Sequence, residues 1–408
     1  MTPAGSATPG ISRANNHALD GIVIIDADTH LSEPHDLWTS RAPASCKARV
    51  PQVRTVDGQR IWVMDGQKLV DEGGGHNCTI REDGSKSPGW DFWTFPIESI
   101  HPSAYNIGAR LAYMDQQKIW AQVVYSNVLG FGGQKAIQAD AALRKLSIEI
   151  YNDAMAELQQ ESHGRLFPMA LLPWWDAKLA AAEAQRAKAM GLRGVNINSD
   201  PQQHAGIPDL ASPEWDPLWE VCQGLGLPVN FHIGASESQM DWFGSAPWPS
   251  SNWDTKLAIG TAALFYSNGR VLMNLILCGL LDRFPRLKFV SVESGIGWIP
   301  FVLEALEYQI CEGTAALRRQ LSLTPSEYFA RNFYACFWFE RRDLAHAVRR
   351  VGADNVLFET DYPHPTCLYP EIGDYLASGL GDLDRESRRK IMGGNAARLY
   401  SIPLPADG

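Results

Sequence analysis

The sequence predicts a (β/α)8 TIM barrel with insertions over its active-site mouth. Three observations predict it: eight short apolar runs alternate with amphipathic stretches, several runs are entered through similar Gly- or Pro-containing turns, and four runs end in acids or histidines. Strands buried on both faces read as near-continuous apolar runs, and parallel α/β folds carry their chemistry at the carboxyl ends of such strands.

The expected strands are Ile22–Ala27, Ala121–Ser126, Phe167–Leu172, Gly194–Asn198, Pro228–Ile233, Lys288–Glu293, Phe333–Phe337 and Asn355–Thr360. Helical periodicity falls between them over Ala139–Gln160, Ala177–Met190, Pro213–Leu225 and Asn268–Phe284. Met190-Gly-Leu-Arg-Gly194, Gly224-Leu-Gly-Leu-Pro228 and Arg283-Phe-Pro-Arg-Leu-Lys288 each stop a helix before the next strand, with Gly closing its last turn or Pro barring its continuation. The competing architecture, a doubly wound open sheet, lacks a G-x-G-x-x-G after the first strand. Gly130-Phe-Gly-Gly-Gln-Lys135 resembles a phosphate loop only superficially, without the full spacing or the Lys-Ser/Thr ending.

Three segments break the alternation and are expected as insertions, at about 38–103, 234–259 and 308–332, within a single domain spanning 21–402. The first contains two Asp-Gly turns, at Asp57-Gly58 and Asp65-Gly66, which signal hairpins. It continues into the aromatic stretch Pro88-Gly-Trp-Asp-Phe-Trp-Thr-Phe-Pro96. The second carries Trp242, Trp248 and Trp253. Segments that directly follow strand ends are placed to act as hydrophobic lids that exclude water, or as an oligomer interface. These aromatic insertions favour a homodimer over a monomer.

A flexible N-terminal segment is expected over residues 1–20, rich in Pro, Gly, Ser and Ala. It has no basic stretch followed by an apolar one, so a cytoplasmic location is expected. No run is long enough to span a membrane; Val271–Leu281 is the most apolar and is too short. A hydrophobic fraction of 45% with 20% charged residues supports a large core. The net charge of -10 argues against a nucleic-acid partner. The seven cysteines are scattered, with no C-x-x-C pair, so neither a disulfide framework nor a zinc knuckle is favoured.

The chemistry concentrates at four strand ends. Asp28 and His30 share a side of the first strand, with Asp26 in the same register as a supporting acid. His232, Glu293 and Asp361 close later runs. Each alone has a structural explanation, such as a hydrogen-bonded core histidine or a capping acid. Together, imidazoles and carboxylates from separate strands suit a divalent transition metal, with one carboxylate free to move a proton. No G-x-S-x-G elbow or nucleophilic cysteine context competes with this reading.

Asp26-Ala-Asp28-Thr-His30-Leu-Ser-Glu33-Pro, Met114-Asp115, Asn230-Phe-His232, Leu281-Asp-Arg-Phe-Pro-Arg-Leu-Lys-Phe289, Glu293-Ser-Gly-Ile-Gly-Trp298, Thr360-Asp361-Tyr-Pro-His364 and Gly394-Asn-Ala-Ala-Arg-Leu-Tyr400 span most of the chain. This set resembles the amidohydrolase-related family of the metal-dependent hydrolase superfamily. Relatives in that family include aminocarboxymuconate-semialdehyde decarboxylase, γ-resorcylate decarboxylase and C–C hydrolases. The resemblance implies Asp28, His30, His232 and Asp361 as metal ligands, with Asp361 also a proton shuttle. The chain departs from the decarboxylases at Glu293, where they carry a histidine; a glutamate there is either a further ligand or a general base.

The expected activity is hydrolysis of a C–N, ester or C–C bond in a small aromatic or carboxylate-bearing molecule. Metal-activated water would attack, with Asp361 and Glu293 catalytic. The expected cofactor is one divalent ion, zinc first, with Mn2+ or Fe2+ as alternatives. Expected substrate contacts are His364, Arg110 and Trp298; for Arg110 a surface ion pair is the simpler account, and His101 is a further possibility for a substrate carboxylate. The alternative enzyme is a non-oxidative decarboxylase of an aromatic or muconate-type acid. The alternative of another class is a metal-free ligand-binding barrel.

Overall fold

Parallel strands form at each of the eight expected apolar runs. In the computed structural model, which describes residues 19–241, 243, 248–370, 372–373 and 379–405, they are β1 Ile24–His30, β2 Ile119–Tyr125, β3 (split at Met169 into Leu166–Pro168 and Ala170–Leu171), β4 Val195–Asn196, β5 Val229–His232, β6 Phe289–Val292, β7 Phe333–Phe337 and β8 Val356–Phe358. The expected strands fall at the same places but are mostly shorter, and β3 is interrupted beside Pro168, which supplies no N–H to a ladder. The expected N-terminal segment lies almost entirely outside the described residues, as does Trp242.

Every neighbouring pair runs parallel, and the order follows the chain. The first half of β3 pairs with β2, which pairs with β1; the second half pairs with β4, and the ladder continues through to β8. At the split the Met169 amide donates to Val124 O (2.9 Å) and Ala170 donates to Gly194 O (3.0 Å). At the other edge Asp361 N donates to Asp28 O (3.0 Å) and His30 N to Tyr362 O (2.8 Å), so the segment after β8 meets β1. The architecture is mixed α/β with parallel sheets.

Alternation along the strands divides the apolar residues into two clusters. One set, including Ile25, Ala27, Val123, Phe167, Val290, Cys336 and Leu357, forms a separate inner core closed by Ala396, Ala397 and Tyr400. The other set, including Ile24, Ala170, Val229, Phe289 and Phe358, joins the large cluster that includes the helices. The period of two thus lets each strand serve both layers.

Helix ends follow local chemistry. Asp140 caps Ala141–Glu161 by accepting from Ala142 N and Leu143 N, and Asp176 caps Ala177–Ala189 in the same manner. The helix Asp216–Leu225 ends on Gly226 at φ 62°, two residues before Pro228. The expected Asn268–Phe284 helix is instead two helices, Trp253–Leu277 and Leu280–Arg283, divided at Gly279. The second expected insertion therefore ends inside a long helix. The third covers the end of the helix Ile299–Glu312 and two further helices, Ala315–Gln320 and Pro325–Asn332.

The first insertion contains a three-stranded antiparallel sheet, Gln52–Val56, Gln59–Met64 and Gln67–Asp71. Its turns are Asp57-Gly58 and Asp65-Gly66, with all four residues at positive φ, the signature of two-residue hairpins. No described helix is long and apolar enough to cross a membrane.

The C-terminal signature has a structural cause. Asn395, fully buried, donates to Ala353 O (2.7 Å) and Val356 O (2.8 Å), holding the last helix against the start of β8. Tyr400 Oη donates to Asn230 Oδ1 (2.6 Å), the same oxygen that accepts from Tyr125 across the inner core. Asn395→Ala strands two carbonyls and is expected to lower stability by about 2–3 kcal/mol in urea unfolding; an unchanged midpoint would show that these bonds do not hold the helix.

Candidate metal and active site

The strand ends come together because β1 is fixed on both sides. Asp26 accepts from Thr360 N (2.8 Å) and Thr360 Oγ1 (2.6 Å) beyond β8, and from Gln122 Nε2 (3.1 Å) on β2. Gln122 Oε1 in turn accepts from Arg110 Nη1 (3.1 Å), and Arg110 also donates to Ser103 O (2.6 Å) and to His30 O. Burial outweighs these bonds and pushes Asp26 up to about 7. With Asp26 held below, Asp28 and His30 project at the end of β1.

Around them stand His232 from β5, Glu293 after β6, and Asp361 and His364 after β8. Two overlapping groups, Asp28–His30–His232–Glu293 and His30–Glu293–Asp361–His364, each have potential ligand atoms within 4.8 Å of one another, and all these residues are buried. His30 Nε2 lies 3.5 Å from Asp28 Oδ1 and 3.7 Å from Asp361 Oδ1. His232 Nε2 lies 3.5 Å from both Asp28 Oδ1 and Glu293 Oε2.

Hydrogen bonding decides what His232 offers. Its Nδ1 is 2.7 Å from the Ile233 carbonyl, which only accepts, so Nδ1 is the donor there and Nε2 is the nitrogen turned to the cluster. Burial, reinforced by His364 and His232, holds His30 well below the ordinary imidazole range, in the neutral form a metal requires. The acids behave oppositely. Burial, then the charges of Asp361 and Asp28, push Glu293 well above the ordinary carboxyl range. Glu359 is pushed well up by burial and Asp28, while its Oε2 accepts from Glu293 N (3.2 Å).

A cation fits this set. Both carboxylate oxygens of Asp28 and the Nε2 atoms of His30 and His232 are buried without a hydrogen-bond partner, and Asp361 Oδ1 stands beside them, 3.0 Å from His364 Nδ1. Stranding that many polar atoms is expensive unless a positive charge gathers them. Glu293 and Asp361 also adopt positive φ, 53° and 58°, a costly backbone state for residues other than glycine that clusters at functional sites.

A cavity of about 230 Å³ opens on Glu293 and His364. Its walls are mostly aromatic and aliphatic, with Trp90, Phe92 and Trp93 from the first insertion, Phe131 from the loop after β2, and Phe243 and Phe265 from the second insertion and the helix that follows. None of the described residues of 308–332 lines it, so that segment is not placed as a lid. His364 stacks on His30 with centroids 3.6 Å apart, its Nδ1 3.0 Å from Asp361 Oδ1 and its Nε2 3.0 Å from Asn127 Oδ1.

Two expected substrate contacts lie elsewhere. Arg110 is wholly buried, faces Tyr362 and spends its donors on internal acceptors. This overturns the surface ion pair, and Arg110 is not part of the cavity wall. Trp298 also lies outside the wall, donating to Ser294 O (2.9 Å) and packing edge-on against Tyr266. His101 bonds Ser103 Oγ at 2.7 Å and is likewise not in the wall. Arg110 had no legible signal, because its partners are two backbone carbonyls and the Gln122 amide, brought together only by the fold. Phe131 and Lys135, which do line the cavity, sit in the Gly-rich segment that only superficially resembles a phosphate loop; its position directly after a strand end was the available signal.

A third His/Glu group, His35, Glu72 and His76, lies in the first insertion and the segment before it. Arg60 Nη2 sits 2.7 Å from Glu72 Oε1, the oxygen that also faces His35 Nε2 at 3.1 Å. The guanidinium already supplies the counter-charge there, and the group ties the antiparallel sheet to the segment after β1.

Asp26→Asn leaves one acceptor oxygen where the Thr360 N–H, the Thr360 hydroxyl and the Gln122 amide share two. It is expected to cost about 2 kcal/mol in urea unfolding of metal-free protein and to weaken metal retention. Wild-type values for both would show that Asp26 does not fix the position of β1.

The amidohydrolase family model matches residues 25–402. The chain is 26% identical over 352 residues to a γ-resorcylate decarboxylase of Rhizobium sp., covering 83% of this chain and 99% of that one. It superimposes on an amidohydrolase of Mycobacterium avium subsp. paratuberculosis with a TM-score of 0.72, 22% identity and coverage of 93% and 99%. A dihydroxybenzoic acid decarboxylase of Polaromonas sp., solved with bound manganese and 2-nitroresorcinol, matches with a TM-score of 0.58, 20% identity and coverage of 95% and 99%. With the family model spanning nearly all of the strand and helix framework, the chain belongs to the amidohydrolase family.

Proposed function

We propose that this protein is a metal-dependent, non-oxidative decarboxylase of hydroxylated aromatic acids. One observation carries the reading: a largely apolar, aromatic-walled cavity opens on a buried ring of carboxylates and imidazoles that needs a cation. The decarboxylase relatives support it over the hydrolysis expected from the sequence. The proposed frame is a closed (β/α)8 barrel over 21–402, with the first two insertions forming the cavity roof.

Asp28, His30, His232 and Asp361 would hold one divalent ion, which supplies positive charge for the oxygens of a bound acid. The donor set is rich in carboxylate, and suits Mn2+ at least as well as the expected zinc; the manganese in the Polaromonas neighbour agrees with that preference. The aromatic walls bind the ring and exclude water. Decarboxylation breaks the ring-to-carboxylate bond, leaves its electron pair on the ring carbon and replaces carbon dioxide with a proton. Glu293 is the proposed proton donor, since it lines the cavity beside the cluster; Asp361 is the proposed second proton carrier, and His364 a substrate contact.

Hydrolysis is the second reading, favoured by Glu293 itself, a carboxyl where the resemblance implies histidine in decarboxylases. Manganese-loaded protein is expected to release carbon dioxide from 2,6-dihydroxybenzoate or a related hydroxybenzoate, to lose that activity on chelation, and to regain it with Mn2+. Glu293→Gln is expected to lower kcat by about 100-fold or more while the protein retains its metal. Amine or acid release from amides or esters, with no carbon dioxide from any hydroxybenzoate, would replace decarboxylation with hydrolysis. Homodimerisation is part of the same proposal, supported by the exposed Trp253, Phe301 and Tyr308; a monomeric sedimentation coefficient would remove it.

A further inference from the structure

The loop after β2 has a rigid construction that the proposed chemistry leaves unused. Gly130 and Gly133 adopt positive φ (85° and 71°), and a Cβ on Gly132 would stand 2.6 Å from Ile197 O. Gln134 fastens the turn, accepting from Gly132 N (3.0 Å) and donating to Gly234 O (2.7 Å) at the start of the second insertion. The turn sets Phe131 against His232 (centroids 4.3 Å apart) and His30 (5.2 Å), and sets Lys135 in the wall of the same cavity.

Lys135 is the sole lysine or arginine among the described lining residues. Its ammonium has no hydrogen-bond or ion-pair partner among the described residues. The one acid acting on it is Glu33, whose Oε1 accepts from the amides of Asn127 (2.8 Å) and Val128 (3.3 Å) while its Oε2 has no hydrogen-bond partner; burial pushes this acid up to about 7, which makes it a weak counter-charge for the lysine. Burial lowers Lys135 to about 8, so the ammonium is costly where it stands and gains from an anion. A substrate's reacting carboxylate has the cation site for a partner. An unpaired ammonium elsewhere in an apolar wall calls for a second anionic group.

We propose that Lys135 is a specificity-determining residue that selects aromatic acids carrying a second carboxylate or equivalent anion. The inference rests on the proposed reading of the cavity as an aromatic-acid site, and goes beyond it in naming the dianionic class.

The test compares two acids differing by one carboxylate, 2-hydroxybenzoate and 4-hydroxyisophthalate. Their binding to manganese-loaded wild type, Lys135→Met and Lys135→Arg is measured by calorimetry, with carbon dioxide release followed in parallel. Wild type is expected to bind the diacid about tenfold or more tightly than the monoacid. Lys135→Met is expected to weaken diacid binding about tenfold more than monoacid binding, and Lys135→Arg to keep most of the preference. Equal wild-type affinity for the two acids, or an equal loss for both in Lys135→Met, overturns the proposal. Loss of the preference in Lys135→Met, with no carbon dioxide from wild type and either acid, supports this inference and counts only against decarboxylation of these two acids.

Discussion

The Asp26 carboxylate, buried where the first strand meets the segment beyond the last, is the constraint from which the site geometry follows. Thr360 donates to both its oxygens and Gln122 to one, so three neighbouring segments share one acid. Arg110 completes the arrangement through Gln122 and the His30 carbonyl. A buried acid and a buried guanidinium are each costly alone. Linked through an amide, they fix the level at which Asp28, His30 and Asp361 leave their strands. The residues that would touch a metal are thus placed by residues that do not.

Above that level the balance of charge reverses. Asp28, Glu293, Glu359 and Asp361 crowd together in the interior, and burial and mutual repulsion push Asp28, Glu293 and Glu359 towards the protonated form. Their lone pairs and the Nε2 atoms of His30 and His232 converge with few hydrogen-bond partners. Such an arrangement is unfavourable by itself and becomes favourable around a cation. The positive φ of Glu293 and Asp361 adds a backbone cost at the same place.

Much of this was legible in the sequence because it depends on short-range rules. The alternation of apolar runs, the Asp-Gly hairpins and the acids and histidines at strand ends all depend on local chemistry. The structure brings Asp28, His30, His232, Glu293, Asp361 and His364 together as those strand ends imply. Arg110 shows where local reading fails: what a long side chain touches depends on groups far away in the chain, here the His30 carbonyl. Helix limits around Gly279 also escaped it, because the apolar run from Val271 masks the break and the preceding lid sequence already winds into helix at Trp253. Lys135 escaped for another reason. Its glycine-rich loop resembles a weak motif, and its meaning emerges only once the cavity is seen beside it.

If these strand ends form one cation site, anomalous diffraction at the manganese edge, from crystals grown with Mn2+, will locate the ion in it. A single strong peak enclosed by Asp28, His30, His232 and Asp361 is expected. No peak there, or a peak only at His35, Glu72 and His76, would contradict the assignment of these residues as ligands.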